Sequence, residues 1–281
     1  MYIKKVAVIG SGTMGSDIAY VVASAGIPVV VKDVDESALV RSEEHISDLF
    51  QARVGKGRLA PGDAESLKAL IHYTTHDEDL ASVSLAIEAV SENMRVKKRV
   101  FQDLDRVLGP LAIIVSNTSA LSITELATVT GRPGRVAGFH FFFPAHMMKL
   151  IEVISGKETE KDTVDTLRRF AEEIRKIPVS VKECPGFVVN RVLMASMAEV
   201  LRFQHETGVP YEEIDQAVTK ARLAPMGPFV LADALGLDVA LEVARTLSQA
   251  YGERFSPGPQ LEALVAQGHR GLKTKQGFYS Y

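Results

Sequence analysis

The chain has 281 residues, 46% hydrophobic and 24% charged, which is enough apolar material for a sizeable core and excludes a disordered composition. At about 150 residues per domain, the length corresponds to roughly two domains. The 32 basic and 35 acidic residues leave a net charge of -3, so no basic excess exists to hold nucleic acid or an acidic membrane surface. One cysteine, Cys184, excludes an intrachain disulfide and a cysteine-based zinc site and suits a reducing compartment. No apolar run approaches the roughly 18 residues of a membrane span. The run Val6–Ile9 near the start is too short for a secretory leader, so a cytoplasmic protein is expected.

In chain order, Val6–Ile9 is predicted as a buried strand, followed by a helix over Gly12–Ser24 with apolar residues at Ile18, Val21 and Val22. Pro28–Val31 forms the next strand, ended by Lys32 and Asp33. A charged helix then runs from about Asp35 to Arg53, is broken by Gly55–Arg58, and is followed by another helix from Pro61 to about Leu70. Strands over Leu85–Glu88, Ile113–Ser116, Val136–His140, Leu150–Ile154 and Val179–Val181 are interleaved with helices over Arg95–Leu108 and Lys161–Lys176. Apolar strands spaced by helices predict a mostly parallel, doubly wound, Rossmann-type α/β sheet. The texture changes at Cys184-Pro185-Gly186. Beyond it the pattern is helical, with helices near 212–221, 229–234 and 238–251. The expected domains are therefore 1–183, binding a dinucleotide, and 184–281, all helical. The stretch Phe187–Phe203 is apolar on nearly every side, which predicts burial against the first domain, a second subunit, or both.

Gly10-Ser11-Gly12-Thr13-Met14-Gly15 is a G-x-G-x-x-G turn between a strand and a helix, and Asp33 follows Gly15 by 18 residues at the end of the next strand. That context is the dinucleotide fingerprint. Gly10 allows the tight turn, Gly12 lets backbone amides approach a pyrophosphate, and Gly15 lets helix and strand pack closely. The helix N-terminus, through Thr13 and Met14, supplies amide donors and partial positive charge. Asp33 can accept from the ribose hydroxyls and repels a 2′-phosphate, so NAD is preferred to NADP. Asp17, in the first helical turn, is expected to point to solvent, since an inward acid would repel the pyrophosphate.

Asn117 and Ser119 stand just beyond a strand's C-terminal end, where ligands bind in open α/β sheets, although either could instead cap a helix near Thr124. His140 ends the next strand and Glu152 lies on the one after. Hydride transfer from an alcohol needs a base for the hydroxyl proton. A histidine whose other ring nitrogen is bonded to a carboxylate supplies one.

Ser116–Ser119, Gly138–Pro144, Met148–Ile154, Pro185–Arg191, Pro225–Phe229, Leu231–Asp233, Gly236–Asp238 and the C-terminal Gly271–Thr274 with Gly277–Tyr279 together resemble the 3-hydroxyacyl-CoA dehydrogenase family, 3-hydroxybutyryl-CoA dehydrogenases included. The resemblance covers essentially the whole chain in order. It implies NAD-dependent interconversion of an (S)-3-hydroxyacyl-CoA and its 3-oxoacyl-CoA, as in fatty-acid β-oxidation or butyrate-type metabolism, by a homodimer that needs no metal. By position it implies His140 as base, Glu152 as its partner, Ser119 and Asn190 on the reacting substrate, and Glu92, Lys97 and Asn117 as cofactor contacts. It also implies basic residues after the second strand, here Arg53, Lys56 and Arg58, handling the phosphates of coenzyme A.

The chain departs from that pattern at Phe143, where the family has Asn, at His146, where it has Pro, and at Val230, where it has Glu. Phe143 is expected either to narrow the acyl pocket or to pack in the core with Phe141 or Phe142. A metal site joining His146 to His140 lacks an acidic partner at ligand spacing. His45, His72, His76, His205 and His269 stand in polar surroundings, with no chemistry expected of them. Two other functions remain open: a dehydrogenase of a free hydroxy acid or sugar acid, and a non-catalytic NAD(H)-binding protein.

Overall fold

The computed structural model describes residues 2–281, which divide into two compact units, one reaching to Cys184 and the other spanning Pro185–Tyr281. Unit 1 is built on one eight-stranded sheet ordered β3-β2-β1-β4-β5-β6-β7-β8. The strands are β1 (Val6–Ile9), β2 (Val29–Lys32), β3 (Ile71–Thr74), β4 (Leu85–Glu88), β5 (Ile113–Ser116), β6 (Val136–Phe141), β7 (Leu150–Ser155) and β8 (Ile177–Lys182). All pairings are parallel except β6 with β7. β1, β4 and β5 are buried at every residue, as expected of strands covered on both faces.

The helices of this unit are α1 (Thr13–Ser24), α2 (Glu36–Gly55), α3 (Pro61–Lys68), α4 (Met94–Val107), α5 (Ile123–Ala127) and α6 (Lys161–Glu173). Asp35 caps α2 by accepting from Ser37 N, and Asn93 caps α4 by accepting from Arg95 N and Val96 N. α1 lacks a side-chain cap, which leaves its first-turn amides for another acceptor. The core joins Val8, Ile18, Val22, Val31, Phe50, Ile87, Phe139 and Phe170.

Unit 2 contains α7 (Val189–Thr207), α8 (Tyr211–Lys220), α9 (Pro228–Leu235), α10 (Leu237–Tyr251) and α11 (Gly258–Ala266) around Met194, Leu201, Phe229, Leu241, Leu247 and Phe278. Two buried carboxylates bind its C-terminal segment. Asp233 accepts from Phe278 N, Tyr279 N and Tyr281 Oη, and Asp215 accepts from Phe229 N, Val230 N and Tyr279 Oη.

One strand was not expected, and one expected burial is narrowed. β3 has no counterpart in the sequence reading: Ile71–Thr74 alternates polar and apolar residues at the sheet edge and sits directly after a helix. α7 buries one face only, through Met194, Met197, Ala198 and Leu201, while Val192 is 62% and Phe203 47% exposed. Within this chain the helix is therefore not buried all round, which leaves Val192 and Phe203 for the second subunit that the sequence reading also allows. Among the described residues no helix is long and apolar enough to cross a membrane.

Candidate active site

Strand order reverses between β1 and β4, and the glycine-rich turn sits at that switch point, where α/β sheets bind ligands. Gly10 has φ 100°, and a Cβ there would stand 2.8 Å from Ala89 O just past β4, so only glycine fits. A Cβ on Gly15 would collide with Gly10 O, which fixes the close packing of α1 on the turn. Gly12 faces open space and is exposed, as is Thr13, with Met14 half-buried, so the first turn of α1 can receive a pyrophosphate.

Asp33 ends the strand beside this turn. Its Oδ2 accepts from Ser11 N and Ser11 Oγ, both at 2.7 Å, and its Oδ1 from Val34 N and Asp35 N. Burial opposes its ionisation, but the bonds from Ser11, Asp35 and Val34 prevail and hold the carboxyl below the ordinary aspartate range. An ionised carboxylate at this place suits a ribose diol. Uncapped amides, an open glycine and this carboxylate fit an NAD molecule.

Next to the switch point lies a buried polar network. Lys97 in α4, 1% exposed, donates to Glu88 Oε1 at 2.7 Å and to Val90 O at 3.3 Å, and pairs with Glu92 Oε2 at 3.2 Å. Glu88 is fully buried and also accepts from Ser116 Oγ at 2.6 Å and Val90 N at 2.7 Å. Burial pushes Glu88 above the ordinary carboxylate range against the pull of Lys97 and these donors. Glu92 Oε1 accepts from Thr118 Oγ1 at 2.5 Å and from Ser119 N at 3.1 Å, so it fixes the half-buried Ser119. Asn117 Oδ1 accepts from Phe141 N at 2.8 Å, joining the end of β5 to the end of β6. Neither Asn117 nor Ser119 caps α5; Ser122 does.

His140 and Glu152 are directly opposed across the antiparallel β6–β7 pair. His140 Nδ1 lies 2.9 Å from Glu152 Oε2, with the side chains 9% and 1% exposed. Phe142 packs on the imidazole with ring centroids 4.5 Å apart. Phe143 is 66% exposed, which removes the option of core packing with its neighbours. Lys56 caps the end of α2 and is exposed, as is Arg58. Asn190 stands half-buried in the first turn of α7, in unit 2.

Asp17 is corrected. It is 1% exposed and does not face solvent: its Oδ1 meets His45 Nε2 at 2.9 Å and its Oδ2 meets His146 Nδ1 at 2.8 Å. Two imidazoles thus take up the acid that would otherwise face the pyrophosphate. His45 and His146 are therefore structural partners, a role for which residues 28 and 129 positions from Asp17 carried no sequence signal. Glu88 was visible as the one acid closing the apolar run Leu85–Glu88, but its burial against Lys97 was not.

The family model described as 3-hydroxyacyl-CoA dehydrogenase, NAD binding domain, matches residues 5–184, and that described as 3-hydroxyacyl-CoA dehydrogenase, C-terminal domain, matches residues 186–281. The 3-hydroxybutyryl-CoA dehydrogenase of Clostridioides difficile is 41% identical over 278 residues, spanning 99% of both chains. The mitochondrial hydroxyacyl-coenzyme A dehydrogenase of Sus scrofa is 38% identical over 289 residues, 99% of this chain and 91% of that one. The crystal structure of (S)-3-hydroxybutyryl-CoA dehydrogenase from Ralstonia eutropha superposes with a TM-score of 0.96 at 35% identity, covering 99% of each chain.

Proposed function

Because this chain belongs to the 3-hydroxyacyl-CoA dehydrogenase family, we propose that it interconverts a short (S)-3-hydroxyacyl-CoA, of the 3-hydroxybutyryl class, and its 3-oxoacyl-CoA, with His140 and Glu152 as the acid–base pair. The observation that carries this reading is the 2.9 Å contact of His140 Nδ1 with a fully buried carboxylate, on paired strands of the same sheet that carries the dinucleotide turn.

Glu152 accepts the Nδ1 proton of His140, so in the neutral ring Nε2 carries the lone pair. That nitrogen takes the proton of the C3 hydroxyl as the alcohol is oxidised. The resulting imidazolium is stabilised by Glu152, and both groups keep their places because paired strands hold them. Bound NAD supplies the hydride acceptor, and NADH the donor in the reverse direction. Ser119, whose N–H donates to Glu92 Oε1 at 3.1 Å and whose hydroxyl lies 3.5 Å from the same oxygen, is assigned to the reacting oxygen by its motif. Asn190 is assigned to the substrate by its motif, and Lys56 to the phosphates of coenzyme A. The same reading makes the protein a homodimer, since unit 2 leaves Val192, Phe203 and Val239 exposed, and sedimentation velocity checks the stoichiometry.

The test is NADH absorbance with acetoacetyl-CoA, with free acetoacetate, and with neither. The proposal expects rapid NADH loss with the thioester alone. Equal rates with free acetoacetate would favour a hydroxy-acid dehydrogenase, and no turnover with either a non-catalytic NAD(H) protein.

A further inference from the structure

Unit 1 carries a basic groove of whose basic residues the dehydrogenase reading uses only Arg53. α1, the end of α2, the β6–β7 loop and the α6–β8 turn enclose a cavity of about 270 Å3. Five of its lining residues are basic, Arg53, His146, Lys149, Arg175 and Lys176, and none is a carboxylate. Among the described residues Arg53, Lys149 and Arg175 form no ion pair. The nearby acid, Asp17, is turned to His45 and His146. Like charges gathered around a concavity repel one another and focus a positive potential into it.

Two further features point to an occupant. Lys176 is 7% exposed, and its Nζ donates to Ala145 O at 2.5 Å and Met148 O at 2.7 Å, so this buried ammonium meets only neutral carbonyls. Burial pulls it below the ordinary lysine range, and Asp17 offsets that only in part. Ser24, also in the lining, has a buried Oγ without a hydrogen-bond partner. Arg175 holds φ 60° as the left-handed residue that ends α6, with its N–H donating to Glu172 O and that of Lys176 to Ala171 O, so the helix terminus sets its side chain at the rim of the groove.

We propose that this groove binds a phosphate-bearing ligand, with Arg175 and Lys149 as the phosphate contacts and Arg53 and Lys176 completing the positive field. The planar guanidinium offers two parallel donors to a phosphate, and the lysines add point charge. The groove does not include the glycine-rich turn, Lys56 or Arg58. Through His146 it touches the loop that follows His140 and, by way of Asp17, the first turn of α1. The phosphate belongs either to the coenzyme A of the substrate or to a separate phosphorylated molecule.

Pyrophosphate titrated by calorimetry into the NAD-saturated protein tests the site without any turnover, so its outcome is independent of the dehydrogenase reading. Saturable binding is expected, weakened tenfold or more in Lys149→Gln/Arg175→Gly. Arg175→Gly removes the strained side chain at a φ that glycine accepts, so the variant is expected to fold with an unchanged or raised melting temperature. Absence of saturable binding, or equal affinity in wild type and double variant, would overturn the proposal. The source follows from KM values in the double variant. A rise for acetoacetyl-CoA but not for acetoacetyl-pantetheine, which lacks the nucleotide phosphates, supports the site and assigns it to coenzyme A. Loss of pyrophosphate binding with both KM values unchanged supports the site and assigns it to a separate ligand.

Discussion

Replacing Lys97 with Met should be among the more damaging changes available in unit 1. Lys97 is 1% exposed and Glu88 fully buried, with Nζ and Oε1 2.7 Å apart. At an effective dielectric near 20, that separation corresponds to an attraction of about 6 kcal/mol before desolvation. Removing one member of such a pair leaves a buried uncompensated charge and typically costs about 3–5 kcal/mol. Glu88 would keep Ser116 Oγ and Val90 N as donors, which places the expectation near the lower end, about 3 kcal/mol. For a protein of this size that lowers the melting temperature by roughly 6–12 °C. The loss should also depend on pH in a defined direction. Glu88 titrates above its ordinary value when folded, so the folded state holds its proton more tightly than the unfolded chain. Without Lys97 the shift grows. The deficit is then full above the folded pKa of Glu88 and shrinks as pH falls through it. Calorimetric melts at several pH values measure this, and Glu88→Gln/Lys97→Met should recover at least half the loss, because glutamine keeps the acceptor and drops the charge. A variant with an unchanged melting temperature, or a deficit of equal size at every pH, would refute the reasoning.

Asp33→Ala should weaken NAD binding and narrow the preference over NADP; a wild type that uses NADP better than NAD would contradict the role given to Asp33. Since Asp33 is held below the ordinary aspartate range, its carboxylate stays ionised from neutral pH down to that range, so calorimetry at pH 7 and pH 5 should show no loss of NAD affinity attributable to it. Phe143→Asn should leave the melting temperature within about 1 °C, because the ring is 66% exposed, and raise activity on short acyl-CoA substrates by up to about tenfold. Met194→Asp should unfold unit 2, as Met194 is 5% exposed and a buried carboxylate there has no partner. Val192→Asp, on the exposed face of the same helix, should instead dissociate a dimer with the fold intact, as read by sedimentation velocity together with circular dichroism.

Much of unit 1 was legible because its signals are local. A strand, a glycine turn and a helix within twenty residues can be read from spacing, since Gly10 and Gly15 answer steric demands of their own turn. The contact of His140 with Glu152 was foreseen as an approach of adjacent strands, and the antiparallel register of β6 and β7 makes it direct. Features set by distant partners were not legible. The burial of Asp17 depends on His45 in α2 and His146 in a loop, and neither reads as a partner until the chain is folded. β3 escaped because an edge strand needs only one half-apolar face. In Phe187–Phe203, counting apolar residues does not reveal which of them face the core of their own unit: Met194, Met197, Ala198 and Leu201 do, while Val192 and Phe203 do not.

The central claim is that a histidine oriented by a buried glutamate moves the proton of a 3-hydroxyacyl-CoA. Its most direct test is the steady-state rate of NADH oxidation by acetoacetyl-CoA in His140→Ala, alongside the NAD affinity of the same variant. The account predicts a fall in kcat of roughly 10²–10⁴-fold, the usual span for a general acid–base group, with NAD affinity little changed. Near-normal turnover in that variant, with the protein folded and NAD bound, would contradict it.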